Sequence, residues 1–192
     1  GQLEVPLSAI KDGKIEVHNT GAGMLFATVV SSGIPGPGDE KTINSNLAIS
    51  VKYLDMKGQY INVTKLEQGT DFVAEVKVTN QDLSNPVDNV ALTHVFPSGW
   101  EIFNQRLFGD GEDKNASTFD YQDIRDDRVL TYFGLSDYRR NSKYSTKTFK
   151  VVLNASYLGK YYLPSVNVES MYDDDYKASE HGQWVEVVKP GN

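Results

Sequence analysis

Apolar and polar residues alternate along this chain with a period of two, and this pattern constrains the fold more than any other feature. In a β-strand, successive side chains point to opposite faces, so an alternating segment buries one face and exposes the other. No stretch of about 12 residues keeps the period of an amphipathic helix. Six segments alternate, with these residues on the predicted interior face: Leu47, Ile49, Val51 and Tyr53; Phe72, Ala74, Val76 and Val78; Val90, Leu92, His94 and Phe96; Phe149, Val151, Leu153 and Ala155; Val166 and Val168; Val185 and Val187.

Short turn sequences separate the predicted strands. The turns lie at residues 55–58, 68–69, 85–86, 97–99 and 158–159, and each contains a glycine or a proline. Strands that recur with short turns predict an all-β chain, folded as an antiparallel, immunoglobulin-like β-sandwich of roughly seven strands. We expect this sandwich to extend from about Thr42 to Val188.

A sequence rich in proline and glycine, at residues 34–38, interrupts the strand pattern. Proline removes a backbone donor and glycine loosens the chain, so a strand ladder is not expected to run through this point. Two strand-like segments precede it, at residues 14–18 and 24–31. Two strands alone are marginal in water. Residues 1–40 are therefore either an edge of the sandwich or a strand pair from a preceding β domain, and residues 41–192 form the main domain.

Charge and composition exclude some classes of partner. The 192 residues carry a formal net charge of -7, and the lysines and arginines are scattered. Nucleic-acid binding needs a concentrated basic surface, so no nucleic-acid partner is expected. No apolar run approaches the ~20 residues of a membrane span. Because Gly1 has no preceding methionine, we expect the chain to be a piece of a longer protein.

Residues that could support catalysis or bind a metal are not brought together by the sequence. The chain has no cysteine, and its three histidines show no spacing typical of metal ligands. His94 falls on the interior phase of its strand, which predicts a hydrogen-bonded core histidine. Residues 110–115 lack the spacing of a calcium loop. The acidic turn at Asp173–Asp175 is predicted to be solvated, with weak calcium binding left open. We therefore expect no catalytic residues, no cofactor and no metal site.

Three segments in order resemble the C-terminal region of the bacterial α2-macroglobulin family. Residues 95–102 (VFPSGWEI) resemble its Leu-Pro-Ala-Gly segment, with a turn in which Gly99 is expected to supply a positive φ. Residues 123–133 (DIRDDRVLTYF) resemble its RDDRV strand entrance, where Arg125 and Arg128 are expected to pair with aspartates. Residues 159–164 (GKYYLP) with 168–173 (VESMYD) resemble the end of the family's last macroglobulin-like domain.

The resemblance implies a function as well as a macroglobulin-like fold. Members of this family are protease traps: a protease cleaves a bait region, the protein rearranges, and a thioester captures the protease covalently. The thioester lies in a Cys-Gly-Glu-Gln segment on a separate helical domain, which a chain without cysteine does not contain. Residues 1–40 then correspond to the last strands of a CUB-like domain, and residues 41–192 to a non-catalytic structural domain.

The same resemblance implies partners, a compartment and one candidate site. The expected partners are the thioester and CUB-like domains of the same polypeptide, and host or foreign proteases that the full-length protein meets. The expected location is the periplasm or cell surface, with a lipid anchor on the parent left open. Met171 and Tyr172 are the candidate thioester-shielding loop, because a latent thioester needs an apolar cover against water. Such a cover should be partly exposed in this chain, whereas a core role would bury it.

Two other classes of protein remain open at this point. A free-standing cell-surface adhesion or carbohydrate-binding module would use an exposed aromatic platform to stack sugars. Its test is whether Trp100, Trp184, Tyr161 and Tyr162 share one exposed face. An enzyme is the third class, and it is disfavoured because no convergent set of polar groups is apparent.

Overall fold

The computed structural model describes residues 3–6, 10, 14–30, 33, 36–103, 117–137, 139 and 145–191. Two compact units share the chain, Gly1–Ile34 and Pro35–Asn192. The division falls inside the proline- and glycine-rich sequence that was expected to interrupt the strands. The assignment of the first unit to a preceding CUB-like domain stays a prediction.

The second unit consists of β-strands. No helix is present among the described residues, and hence none there could span a membrane. The strands are β1 (Ile43–Ser45), β2 (Leu47–Asp55), β3 (Lys65–Glu67), β4 (Asp71–Asn80), β5 (Val87–Val95), β6 (Trp100–Phe103), β7 (Tyr121–Ile124), β8 (Arg128–Leu135), β9 (Thr146–Ala155), β10 (Gly159–Leu163), β11 (Val166–Ser170), β12 (Lys177–Glu180) and β13 (Gln183–Val188).

These strands form three sheets, which confirms the predicted all-β sandwich. A six-stranded sheet has the order β1-β12-β11-β5-β8-β7, a four-stranded sheet the order β2-β4-β9-β6, and a three-stranded sheet the order β10-β13-β3. Neighbouring strands run antiparallel, except that β13 and β3 are parallel. The strands begin at Ile43 and end at Val188, close to the predicted limits.

Two apolar clusters fill the sandwich, and both follow from the alternation in the sequence. The first core joins the six-stranded and four-stranded sheets and includes Phe133, Phe149 and Val168. The second core joins the four-stranded and three-stranded sheets and includes Phe72 and Trp100, whose rings meet edge to face at 4.9 Å. The predicted interior faces of β4, β5 and β13 are buried throughout. Period-two patterning therefore assigned the inward phase correctly.

The described residues form thirteen strands rather than about seven, in part because long strands cross from one sheet to another and in part because short strands such as β3, β6 and β7 are added. Pro164 and Ser165 divide β10 from β11, and His181 and Gly182 divide β12 from β13. The four strands make one long hairpin, since β10 pairs with β13 and β11 with β12. Asn46, at φ 50°, divides β1 from β2 in the same way. Alternation marks a strand but not the point where it changes sheet.

Among the described residues before Gly36, the N-terminal strand pair that the sequence predicts is not formed. The described residues of segments 14–18 and 24–31 are assigned to no strand. Their large apolar side chains are exposed, with Met24 at 85% and Phe26 at 87%. An isolated pair of strands buries too little surface to be stable, which accounts for the absence of a ladder within residues 14–30.

Gly99 has a different role from the one expected. Its φ is not positive, so the turn after β5 does not need its conformational freedom. Instead, the aromatic ring of Tyr161 from β10 lies directly against it, and a Cβ at this position would overlap that ring. The Tyr161 hydroxyl donates to the carbonyl of Leu158 at 2.9 Å, which fixes the ring over the glycine. Close packing between β10 and this turn therefore requires the glycine.

Replacing Gly99 by alanine should destabilise the sandwich by about 1–3 kcal/mol, because the new methyl group displaces the Tyr161 ring. Urea unfolding followed by tryptophan fluorescence measures the change. In a Tyr161→Ala background the methyl group has room, so Gly99→Ala should cost much less there. An equal loss in both backgrounds would show that packing against Tyr161 is not the reason for glycine.

Candidate functional site at the tip of the long hairpin

The candidate shielding residues lie at the tip of the long hairpin. Residues 171–175, the hairpin tip, connect β11 to β12. Met171 is 54% exposed and Tyr172 is 80% exposed, so neither belongs to the core of this chain. The partial exposure expected of a cover is therefore found. Their role as a shield stays a prediction.

Three distant parts of the chain hold the backbone on both sides of the tip. The Met171 amide donates to the carbonyl of Asn89 at 3.0 Å. The carbonyl of Asp175 accepts from the Ser45 hydroxyl at 2.8 Å and from the Asn46 side-chain amide at 3.3 Å. Asn89 adopts a φ of 54° beside an irregularity in β5, and this conformation directs its carbonyl toward the tip.

The third contact involves Tyr176, which directly follows the tip. Its ring is buried in the first core, and its hydroxyl donates to Asp82 Oδ2 at 2.7 Å. Burial, together with this hydrogen bond, raises the pKa of Tyr176 to about 12. Asp82 also accepts from the amides of Ser84 and Asn85 at 2.8 and 3.0 Å, and these bonds hold its pKa well below the usual range. Sequence reasoning did not identify these residues; the turn sequence at 82–86 was the available signal.

The acidic turn occupies the distal part of the tip. Asp173 caps its own turn, accepting from the amide of Asp175 at 3.1 Å. Among the described residues, no group of three acidic, histidine or cysteine side chains is placed to hold a metal ion. Residues 110–115, the other sequence with a passing likeness to a calcium loop, lie outside the described residues.

The arginines of the second family segment form the pairs that the sequence predicts. Arg125 contacts Asp123 at 2.8 Å, and Arg128 contacts Asp127 at 2.6 Å. The Arg125 amide donates to the Arg128 carbonyl at 2.9 Å, which closes the turn between β7 and β8. Both pairs are solvent-exposed and fix a strand entrance rather than a reactive group.

The aromatic residues proposed for a sugar platform do not share a face. Trp100 is buried in the second core, and the Tyr161 ring packs on Gly99. Only Tyr162 and Trp184 lie together, with ring centroids 5.4 Å apart. The Tyr162 hydroxyl donates to Glu40, and Lys160 covers the Trp184 ring at 5.3 Å. A carbohydrate platform built from these four residues is therefore not supported.

His94 is a core residue, but the expectation that it is hydrogen-bonded is wrong. The side chain is buried, and neither ring nitrogen has a partner among the described residues. Its ring lies 4.0 Å from that of Phe96. Its cross-strand partner on β8 is Val129, and the Phe96 ring lies against it, so these two neighbours supply contacts but no acceptor. Burial lowers the pKa of His94 to about 3, so the imidazole is neutral in the folded protein.

His94 should make the protein less stable as the pH falls below about 6.5. Between about pH 6.5 and pH 3, His94 is protonated in the unfolded chain but neutral in the folded protein. The free energy of unfolding therefore falls by up to roughly 1.4 kcal/mol for each unit by which the pH is lowered. Above pH 6.5 the histidine is neutral in both states and has no effect. Urea midpoints from pH 7 to pH 4 should fall less steeply for His94→Leu than for the original chain. His181→Gln, at an exposed position, is the control. Parallel curves for His94→Leu and the original chain would contradict the expectation.

Comparisons with known proteins place this geometry in a family. The family model described as the bacterial alpha-2-macroglobulin MG10 domain matches residues 47–175, from β2 through the hairpin tip. Alpha-2-macroglobulin of Pasteurella multocida is 26% identical over 147 residues, covering 76% of this chain and 7% of that protein. The alpha-2-macroglobulin homolog of Yersinia pestis is 23% identical over 197 residues, covering 92% of this chain and 9% of that protein. The chain thus spans less than a tenth of these relatives.

Solved structures agree on the fold. Salmonella alpha-2-macroglobulin reacted with methylamine superimposes with a TM-score of 0.65 at 22% identity, over 79% of this chain and 10% of that one. Native Escherichia coli alpha-2-macroglobulin, from domain MG7 to the C-terminus, gives 0.64 at 22% identity, over 81% of this chain and 25% of that one. Because the family model covers about two thirds of its residues, this chain belongs to the bacterial alpha-2-macroglobulin MG10 domain family.

Proposed function

We propose that this chain is a non-catalytic structural domain of a bacterial α2-macroglobulin-like protease trap, and that Met171 and Tyr172 help to cover the thioester of a neighbouring domain. The family membership supports the first part. The hairpin tip supports the second, because it presents a thioether and an aromatic ring to solvent on a backbone held from both sides.

The exposure of the pair is the observation that carries the shielding proposal. A Met–Tyr pair at the start of a loop would usually be buried against its own domain, but here both side chains project outward. Exposed apolar side chains beside each other support a contact role, because a neighbouring domain could bury them. The acidic turn, Asp173–Asp175, follows them, so Met171 and Tyr172 form the apolar part of the tip.

The chemistry of a thioester explains why it would need such a cover. Water or another nucleophile attacks its carbonyl carbon, the carbon–sulfur bond breaks, and the sulfur leaves as a thiolate. Exclusion of water by large side chains slows this reaction without changing the bond itself. The relative from Salmonella, solved after reaction with methylamine, is an alpha-2-macroglobulin that a small amine modifies.

Replacing both Met171 and Tyr172 by alanine in the full-length protein should accelerate spontaneous loss of the thioester. We expect a change on the order of tenfold, equal to about 1.4 kcal/mol of lost protection. Free thiol released in the absence of protease, followed over time with a thiol reagent, gives the rate. The midpoint of urea unfolding should change little, because both side chains are exposed.

Met56 and Tyr60 provide a matched control. They are also an exposed methionine and tyrosine, at 60% and 74%, but lie after β2 rather than at the tip. Their double alanine variant should release thiol at the original rate. Equal rates for the tip variant and the original protein would overturn the shielding proposal. It would be overturned equally if the full-length protein gave no thiol after treatment with methylamine.

The isolated chain should neither cleave peptides nor inhibit a protease stoichiometrically. It contains no cysteine, so it holds no thioester with which to capture an enzyme. Trypsin and elastase, named as activators of the Escherichia coli relative, are the proteases to titrate. Residual activity should stay unchanged up to a one-to-one ratio, and a break at that ratio would contradict a purely structural role.

The domain boundary, partners and location follow from the same proposal. We infer that residues 1–40 complete a preceding CUB-like domain and that residues 41–192 form the macroglobulin-like domain. The exposed apolar residues of the first unit support this, because they would become interior in a larger sheet. Contacts to the thioester and CUB-like domains are internal to the parent, whereas proteases meet it as a whole. A periplasmic or cell-surface location rests on the family alone, and cell fractionation tests it.

A further inference from the structure

We propose that Asp82 and Tyr176 are positioning residues for Met171 and Tyr172: their hydrogen bond fixes the place from which the two exposed side chains reach a neighbouring domain. The identity of what the pair covers rests on the proposed shielding function. The positioning itself is a property of this chain and can be measured without a thioester.

The hairpin tip combines two features that seldom occur together. Short loops with exposed side chains are usually mobile, because few contacts hold them. At this tip, however, the Met171 amide and the Asp175 carbonyl are bonded to other elements of the sandwich. These bonds involve backbone atoms of the tip, so they do not depend on which side chains occupy positions 171 and 172. The tip is thus held in place by contacts separate from the surface it presents.

The Asp82–Tyr176 hydrogen bond is the tightest side-chain contact at this end of the hairpin. Tyr176 Oη lies 2.7 Å from Asp82 Oδ2. The amides of Ser84 and Asn85 and the side-chain amide of Asn85 also donate to the Asp82 carboxylate. A carboxylate with so many donors stays ionised, and a hydroxyl bound to a charged acceptor makes a stronger bond than one bound to a neutral group.

Asp82 is itself fixed from the interior of the domain. Its amide donates to Asn80 Oδ1 at 3.0 Å. Asn80 is fully buried, and its side-chain amide donates to the carbonyls of Asn85 and Ser136 at 2.9 and 3.1 Å. Hydrogen bonds therefore run without interruption from a buried asparagine to the tyrosine that closes the tip. Because the Asp82 carboxylate is held in this way, it can fix the position of the Tyr176 hydroxyl and does not move with the tip.

Tyr176 directly follows the tip, so its hydrogen bond to Asp82 can restrain the conformation of the tip. The Tyr176 carbonyl accepts from the Ser170 amide at 2.9 Å, which closes the loop around the tip. Because the ring is anchored in the first core, the hydroxyl bond restrains the rotation of Tyr176, the residue that directly follows the tip. A surface held in its binding geometry loses less conformational entropy on contact, so a positioned tip covers its partner more completely.

The first experiment measures amide hydrogen exchange in this chain carrying Tyr176→Phe. The protected amides of Met171, Asp175 and Tyr176 should exchange faster, by roughly tenfold, because the phenylalanine ring keeps the packing but loses the bond to Asp82. Exchange in β4 and β9 should be unchanged. Asp82→Asn, which keeps the size and one acceptor oxygen, should give a smaller acceleration. It also serves as the second variant if Tyr176→Phe lowers global stability.

Tyr157→Phe is the matched control. The Tyr157 hydroxyl also donates to a carboxylate, Glu101 Oε1 at 2.9 Å, but it lies in the loop between β9 and β10, away from the tip. Its loss should leave the Met171 amide unaffected. If the tip exchanges at the original rate in both the Tyr176→Phe and Asp82→Asn variants, the positioning inference is overturned, whatever the thioester does.

The second experiment links positioning to shielding in the full-length protein. Tyr176→Phe should accelerate thiol release while Met171 and Tyr172 are present, and it should add nothing once both are alanine. If the alanine pair has no effect but tip exchange still rises in Tyr176→Phe, shielding fails and positioning stands. If the alanine pair accelerates release and Tyr176→Phe does not, shielding stands and the positioning of the cover by Asp82 and Tyr176 is overturned.

Discussion

The long hairpin of β10–β13 is the constraint on which the rest of the structure depends. The half formed by β10 and β13 adds Leu163, Val185 and Val187 to the second core. The half formed by β11 and β12, which carries the tip, adds Val166 and Val168 to the first core. The two arms of the hairpin pair with each other on both sides of the change of sheet, β10 with β13 and β11 with β12. One pair of strands thus belongs to both cores, and its far end is fixed with respect to the whole sandwich.

Contacts that hold the hairpin tip come from residues far apart in the sequence. Asp82 and Tyr176 are separated by 94 positions, while Asn46 reaches the tip from the junction of β1 and β2 and Asn89 reaches it from β5. Both asparagines have a positive φ, which asparagine tolerates better than most residues. Each therefore serves twice, since it permits a local change in strand direction and also supplies a bond to the tip.

The alternation of the sequence was sufficient to predict the strands and their buried faces, because burial of every second residue is a local property. Val76, Val168 and Val185 all face the interior as expected. Local patterns did not reveal the change of sheet at Pro164, nor the Tyr161 ring that makes Gly99 necessary. They also did not show that His94 would lack a partner. These features depend on which strands meet in space, and period-two patterning contains no information about that.

The same distinction applies to the candidate site. Met171 and Tyr172 were identified from a short motif, and their exposure agrees with a contact surface. The residues that hold them could not be identified, because the bond between Asp82 and Tyr176 exists only once the β4–β5 turn meets the end of the hairpin.

The residues that position the tip differ from the residues that form its exposed surface. Tyr176 and Asp82 contribute to the fold of the domain, whereas the side chains of Met171 and Tyr172 add little to it because they remain in solvent. An exposed apolar pair gains no stability from burial in its own domain. Its identity is therefore free to be set by a partner, while the position of the pair is set by the sandwich. That separation lets substitutions at 171 and 172 report on the contact they make, and substitutions at 82 and 176 report on its geometry.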